Sequence, residues 1–225
     1  LIYLVFLLIM GVPVMICEFA IGRGSHFSVA AAFEKLEPEG TRWHISKWIG
    51  ILGSYLLMMF YTSVGGWMMY YCFRSIRGDF VGNSAEEVGA KFTKMLADAP
   101  NMAFWTILIC VIGFAICWFG IQNGIEKVSK VMMSVLMVLM IILAVHSVFL
   151  KGAGAGIRFY LIPDFRKMAE IGIGNVIFGA MSQAFFTLSI GIGAMMIFGS
   201  YLERNRSLAG EALSITGLDT FVALM

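Results

Sequence analysis

Residues 175–202 read NVIFGAMSQAFFTLSIGIGAMMIFGSYL and contain no acidic or basic side chain. About 20 apolar residues cross the ~30 Å hydrocarbon core of a bilayer, so this stretch is long enough to span a membrane. Its centre, TLSIGIG at residues 187–193, is unfavourable for a helix, because each glycine costs roughly 1 kcal/mol relative to alanine in a helix interior.

Two structures fit this centre. A helix interrupted within the membrane would leave free N–H groups at one half-helix end and free carbonyls at the other, which suit a carboxylate and a cation. Such backbone is tolerated at that depth where it is buried in protein or lines a wet cavity. Alternatively, the serine and glycines form a close contact face for another helix. The glycines lie two residues apart rather than four, which favours the interrupted helix.

The composition is that of a membrane protein. Hydrophobic residues make up 60% of the 225 residues and charged residues 13%, whereas soluble chains carry about 25% charged residues. Six spans are expected within one transmembrane domain, at about residues 1–21, 48–76, 102–119, 128–150, 175–202 and 212–225. The chain has neither an initiator methionine nor a signal-peptide pattern, and we expect it to be an internal part of a longer polytopic protein.

The segments between the spans are polar. Residues 22–47, 77–100 and 151–170 are expected to be connectors, with an amphipathic helix at about residues 85–96 and a turn at residues 163–164. Within the first span, the string GVP at residues 11–13 predicts a kink.

Neither catalysis nor nucleic-acid binding is indicated. The four cysteines lack metal-ligand spacing and are expected to pack as apolar residues, and the three histidines are scattered. The net charge of +2 comes without a basic run, so no nucleic-acid partner is expected. We therefore expect a protein that is not an enzyme and whose surroundings are the lipid bilayer.

Four stretches, in order, resemble the neurotransmitter:sodium symporter family, in its bacterial branch. They are GVPVMICEFAIGR at 11–23, FYTSVGGW at 60–67, GIEK at 124–127 and AFFTLSIGIG at 184–193. The resemblance runs from the family's helix two into helix seven. It implies an all-α fold of inverted five-helix repeats with a broken sixth helix.

The resemblance also implies an activity. A family member would be a sodium-coupled symporter of an amino acid or amino-acid-like substrate, working by alternating access in the bacterial inner membrane. The resemblance is also compatible with a homodimer. The sequence leaves two alternatives open. One is a proton-coupled or uncoupled amino-acid carrier of the same superfamily, and the other is a non-transporting amino-acid receptor.

Six residues match the family's substrate site: Leu57, Tyr61, Phe186, Ser189, Gly191 and Ile192. By resemblance, Tyr61 would donate to a substrate carboxylate and Phe186 would cover the pocket. Ser189 and Gly191 would take the substrate ammonium on backbone carbonyls and the serine hydroxyl. Ile192 and Leu57 would line the subsite for the substrate side chain. From the residues alone, ordinary aromatic packing is the favoured interpretation of Tyr61 and Phe186.

By the same resemblance, Thr187 and Asp219 match two ligands of a sodium ion. Tyr3 and Gln183 match a tyrosine and a glutamine that hold chloride in chloride-dependent members, and Gln183 also fits a gate network. Our hypothesis is that Asp219 supplies the fixed negative charge that chloride otherwise provides, so that chloride is not required. The alternative is that Asp219 caps the last helix.

Glu18 lies near the end of the first span. Within the implied fold, its carboxylate would accept hydrogen bonds from backbone donors that the broken sixth helix leaves unpaired. The alternative is an interfacial side chain that reaches out of the membrane near Arg23.

Overall fold

The computed structural model describes residues 2–150, 153–162 and 165–224. Every regular element within these ranges is helical. The chain forms two compact units, the first comprising Leu1–Ser54 with Leu136–Met225 and the second comprising Tyr55–Val135. The all-α class is confirmed, while the assignment of the whole chain to one transmembrane domain stays a prediction.

The α-helices of the described ranges are numbered in chain order. They are α1 (Ile2–Phe6), α2 (Val12–Ser25), α3 (Val29–Leu36), α4 (Ser46–Ile76), α5 (Ala85–Ala97), α6 (Ala99–Trp118), α7 (Lys127–Val148), α8 (Ala153–Leu161), α9 (Phe165–Ile171), α10 (Ile173–Thr187), α11 (Ala194–Ser200) and α12 (Leu208–Leu224). Among the residues that the structure describes, four helical stretches are long and apolar enough to cross a membrane: Ile2–Ser25, Trp43–Ile76, Ala99–Trp118 and Gly124–Val148.

The first span contains a π-helical turn, Leu7–Gly11, between α1 and α2. Pro13 follows it, and a proline removes one backbone donor from a helix, so the wider turn lies where the sequence predicts a kink. The span runs to Ser25 rather than to residue 21. His26 ends it in the left-handed region at φ 60°, donating its N–H to the Gly22 carbonyl at 2.8 Å.

The connectors contain more helix than the sequence predicts. Helix α5 is found where expected, with a capping box in which Ser84 and Glu87 bond each other's backbone N–H. The helices α3, α8 and α9 lie in segments expected to be loops, which is a correction. Glycines and prolines suggested loops there, but runs such as VAAAFEKL and RKMAE are rich in helix-forming residues. The turn predicted at residues 163–164 lies outside the described residues.

The core of the first unit lies where the first span meets α10, the residues that follow it, and α12. Leu7, Met15 and Phe19 of the first span are almost fully buried there. They pack in one cluster with five more buried residues: Val12, Ala184, Leu188, Ile190 and Ala212. This packing holds residues 184–190 against the first span.

The backbones of α2 and α11 touch through two glycines. A Cβ added at Gly199 would lie 2.7 Å from the Phe19 carbonyl oxygen. One added at Gly22 would lie 2.8 Å from the Met196 carbonyl carbon. Because backbone atoms cannot move aside as a flexible side chain can, both positions require glycine.

The second unit packs α4 against α6. A Cβ at Gly66 would lie 2.9 Å from the Thr106 backbone nitrogen, so these two helices also approach closely. Beyond the end of α4 the chain folds back, and the rings of Tyr71 and Phe80 stack at 5.3 Å with an interplanar angle of 6°.

Candidate functional site

The helix of residues 173–200 is interrupted at residues 188–193, as the sequence predicts. Helix α10 ends at Thr187 and α11 begins at Ala194. Three residues between them have positive φ: Ser189 at 52°, Gly191 at 89° and Gly193 at 77°. Ser189 is the unusual one, because a residue with a Cβ is strained in the left-handed region.

Glu18 caps the second half of the interrupted helix. Its carboxylate accepts hydrogen bonds from the backbone N–H groups of Gly191 at 2.6 Å, Met195 at 3.0 Å and Gly193 at 3.4 Å. The residue is 5% exposed, so it is not an interfacial side chain that reaches out of the membrane. A negative group at a helix N-terminus also interacts favourably with the helix dipole.

The sequence analysis did not identify Gly193 or Met195 as a partner of Glu18. Gly193 and Met195 contribute backbone N–H groups, and a side-chain pattern carries no signal for Met195. Gly193 belongs to the GxG spacing that predicts the interrupted helix. A Cβ there would lie 2.6 Å from the Val29 side chain, so this glycine is required by space as well as by its positive φ.

Three of the predicted substrate residues lie within the interruption in the first unit, and a fourth lies just before it. Phe186 is 48% exposed at the end of α10, and Ser189 and Gly191 belong to the unwound residues. Ile192 lies against the beginning of α4, where a Cβ at Gly53 would be 2.9 Å from its Cγ2 atom. The interruption thus combines unwound backbone with aromatic and aliphatic side chains.

The other two, Leu57 and Tyr61, lie one turn apart on α4 in the second unit. Tyr61 is 45% exposed and meets Phe60 edge to face, with 5.7 Å between ring centroids. It lines an open, mainly apolar cavity of about 510 Å³ with Tyr55, Met58, Ile109 and Phe114 among its neighbours.

The predicted ion-site residues have distinct environments. Gln183 donates from Nε2 to the Thr187 hydroxyl at 3.1 Å. The Oδ2 atom of Asp219 is buried and has no hydrogen-bond partner among the described residues. The residue lies inside α12 rather than at its start, so Asp219 does not cap the N-terminus of this helix. A buried carboxylate oxygen without a donor fits a cation, because hard cations prefer oxygen ligands.

Thr216 was not predicted to belong to the site. It lies one turn before Asp219 on α12, is 3% exposed, and its hydroxyl lacks a hydrogen-bond partner within the described ranges. A threonine in an apolar helix gives little sequence signal, because its hydroxyl commonly bonds its own helix. Tyr3 lies at the edge of the core cluster.

An interrupted helix with an internal carboxylate cap and buried polar groups nearby is typical of one class of protein, the membrane transporters built around unwound segments. The sequence profile of the Sodium:neurotransmitter symporter family matches residues 90–225. The chain belongs to this family. Its relatives are named as transporters, which confirms that the chain is not that of an enzyme, and the spans make it part of a multi-pass membrane protein.

Individual relatives agree with this membership. An uncharacterized sodium-dependent transporter of Bacillus subtilis, YhdH, is 32% identical over 230 residues, which cover 100% of this chain and 49% of the relative. An uncharacterized sodium-dependent transporter of Methanocaldococcus jannaschii is 30% identical over 231 residues, which cover 96% of this chain and 44% of the relative. The crystal structure of MhsT in complex with L-phenylalanine matches with a TM-score of 0.88 and 37% sequence identity. The match covers 99% of this chain and 50% of the MhsT chain. The chain spans about half the length of the curated relatives it matches.

Proposed function

We propose that this chain forms part of a sodium-coupled symporter that moves an amino acid or amino-acid-like substrate by alternating access. The observation that carries the proposal is the interruption at residues 188–193, whose α11 side is capped by buried Glu18. The sodium-dependent relatives support the coupling ion, and the L-phenylalanine in the MhsT structure supports the substrate class.

The substrate would bind by its polar ends and by its side chain. Ser189 and Gly191 supply a hydroxyl and carbonyls for an ammonium group, and the Tyr61 hydroxyl supplies a donor for a carboxylate. Phe186 would cover the substrate, and Leu57 and Ile192 would contact its side chain.

Sodium would travel as a co-substrate. Thr187 offers hydroxyl and carbonyl oxygens, and Asp219 offers a buried carboxylate oxygen without a donor. The same carboxylate is the fixed negative charge in our proposal that chloride is not required. The proposed location is a bacterial inner membrane, and a homodimer stays a prediction.

The deciding experiment reconstitutes the full-length protein in liposomes and measures uptake of a panel of radiolabelled amino acids. An inward sodium gradient is compared with potassium on both sides. We expect uptake of one amino-acid class that requires the sodium gradient. Uptake driven by a proton gradient and indifferent to sodium would favour the proton-coupled carrier. Ligand binding without uptake would favour the receptor.

The substrate role of Tyr61 has its own test. Tyr61→Phe keeps the ring and removes the donor, so we expect KM for uptake to rise by about ten-fold, the factor for ~1.4 kcal/mol. Tyr55→Phe is the matched control, because Tyr55 lies on the same helix and lines the same cavity. Equal KM values for the two variants would remove Tyr61 from the substrate site.

A further inference from the structure

The second unit holds a cavity that the transport site does not use. Its volume is about 410 Å³, within the range of small-molecule sites. It lies where the chain leaves α4, turns back through residues 77–84 and enters α5 and α6. The stacked rings of Tyr71 and Phe80 line it, as does Met95, which is only 2% exposed.

The charges that line this cavity are unequal. Arg74, Lys91 and Lys94 are cationic, while Asp79 and Asp98 are anionic, which leaves an excess of one positive charge. Both carboxylates already have partners. Asp79 binds the Arg74 guanidinium at 2.5 Å, and Asp98 accepts from the Asn101 backbone N–H at 3.3 Å at the start of α6.

Arg74 also holds the pKa of the Asp79 carboxyl below its usual value, mainly through their hydrogen bond. Asp79 therefore stays ionised and paired at neutral pH.

The cations retain donors for a ligand. Lys91 is fixed by a hydrogen bond to the Asp79 carbonyl at 2.6 Å and by its position 5.6 Å from the centroid of the Phe80 ring. An ammonium has three donors, so Lys91 has two left. Arg74 uses two N–H groups, to Tyr70 and Asp79, out of five. Lys94 makes no hydrogen bond or ion pair with the described residues.

The position of the cavity narrows the ligand class. It lies between the end of one apolar span at Ile76 and the start of the next at Ala99, which places it at a boundary between bilayer and water. Tyrosines are enriched at this boundary, and Tyr70 and Tyr71 line the cavity. Arginine and lysine together are the side chains that bind phosphate. The volume is far larger than a halide ion needs.

We propose that this cavity binds a phosphate group, carried either by the headgroup of an anionic phospholipid or by a soluble phosphate ester, with Lys91, Lys94 and Arg74 as its donors. The stacked Tyr71 and Phe80 rings contact the organic part next to the phosphate. This site is independent of the transport site, so its failure would leave the proposed symport untouched.

The test uses the full-length protein and two probes. One is phosphatidylglycerol, titrated into phosphatidylcholine nanodiscs, and the other is sn-glycerol 3-phosphate, added to protein in pure phosphatidylcholine. The readout is the rise in Tm as each probe is added. In the variant K91Q/K94Q we expect the apparent affinity for the probe that binds to fall by about ten-fold, or ~1.4 kcal/mol. The variant K91R/K94R should restore it.

The control variant is R77Q. Arg77 lies in the same loop, over the Phe73 ring and outside the cavity, so its loss should leave the affinity unchanged. A response to phosphatidylglycerol alone identifies the lipid as the source, and a response to the soluble ester identifies a free phosphate. No response to either probe would overturn the proposal. So would equal weakening in R77Q and K91Q/K94Q, because general surface charge would then explain the binding.

Discussion

Glu18 holds together two segments that are more than 170 residues apart in sequence. One carboxylate satisfies three backbone donors at the start of α11, where the helix itself provides no acceptor for them. A carboxylate has two oxygens and about four acceptor sites, so it can serve all three donors at once. No uncharged side chain of the same length has that capacity.

We expect Glu18→Gln to destabilise the protein and to abolish most of the uptake. The amide has one acceptor oxygen, and its NH₂ group would face backbone N–H groups. Buried donors without partners cost ~1–3 kcal/mol each, so the loss should be about 2–4 kcal/mol. The measurement is Tm of the purified full-length protein, together with sodium-driven uptake.

The matched control is Glu34→Gln. Glu34 lies on α3 and pairs with Lys47, but its side chain is 50% exposed. Exposed ion pairs contribute ~0–1 kcal/mol, so Tm should barely change. If Glu18→Gln were as stable and active as this control, the capping bonds would not support the interruption.

Asp219 gives a prediction about ions. Our hypothesis that the Asp219 carboxylate provides the fixed negative charge predicts that uptake by the unmodified protein does not change when chloride is replaced by gluconate. In Asp219→Asn that charge is absent, and we expect uptake to depend on chloride. Glu211→Gln on the same helix, which removes a partly exposed carboxylate paired with Arg206, should stay independent of chloride. A sharp fall in uptake by the unmodified protein in gluconate would contradict the hypothesis.

The contact between α2 and α11 depends on the absence of two side chains. We expect Gly199→Ala to destabilise the protein by ~1–3 kcal/mol, the usual range for overpacking, because its Cβ would meet the Phe19 backbone. Gly89→Ala in α5 is the control, for which we expect no destabilisation. It has open space around it, so it should be neutral or stabilising by ~0.4–1 kcal/mol. Both are measured as changes in Tm, and equal effects would exclude a tight α2–α11 contact.

The elements differ in how well the sequence predicts them. The long apolar spans and the interruption were predictable, because length, hydrophobicity and the TLSIGIG string act locally. The helices α3, α8 and α9 were not, because short helices in polar segments depend on tertiary packing more than on propensity. The close approach at Gly22 and Gly199 was also hidden, since a single sequence does not show which backbones meet.

The same limit applies to the site. Within the fold that the family resemblance implies, Glu18 could be proposed as the acceptor for backbone donors that the broken helix leaves unpaired. Its specific partners, Gly193 and Met195, and the buried hydroxyl of Thr216 became evident only from the structure. The residues on α4 and those at the interruption belong to different compact units, so their joint role rests on the family resemblance.

For the whole molecule, coupled transport requires that sodium and substrate favour each other's binding. The coupling free energy is reciprocal, so sodium must raise substrate affinity by the same factor by which substrate raises sodium affinity. We expect both factors to exceed ten-fold, or ~1.4 kcal/mol, in thermal-shift titrations of the full-length protein against potassium controls. Binding of the amino acid with equal affinity in sodium and potassium would contradict sodium coupling.

The carboxylate of Glu18 also sets the electrical polarity of the site. A helix N-terminus normally attracts an anion, but the start of α11 already holds one within the protein. A zwitterion that approaches the unwound residues therefore finds no positive pole on the α11 side, and a negative charge lies just behind it. Its ammonium group should turn toward residues 188–193 and its carboxylate away from them. A D-amino acid keeps both charged groups but directs its side chain differently, so stereoselectivity would follow from this fixed orientation.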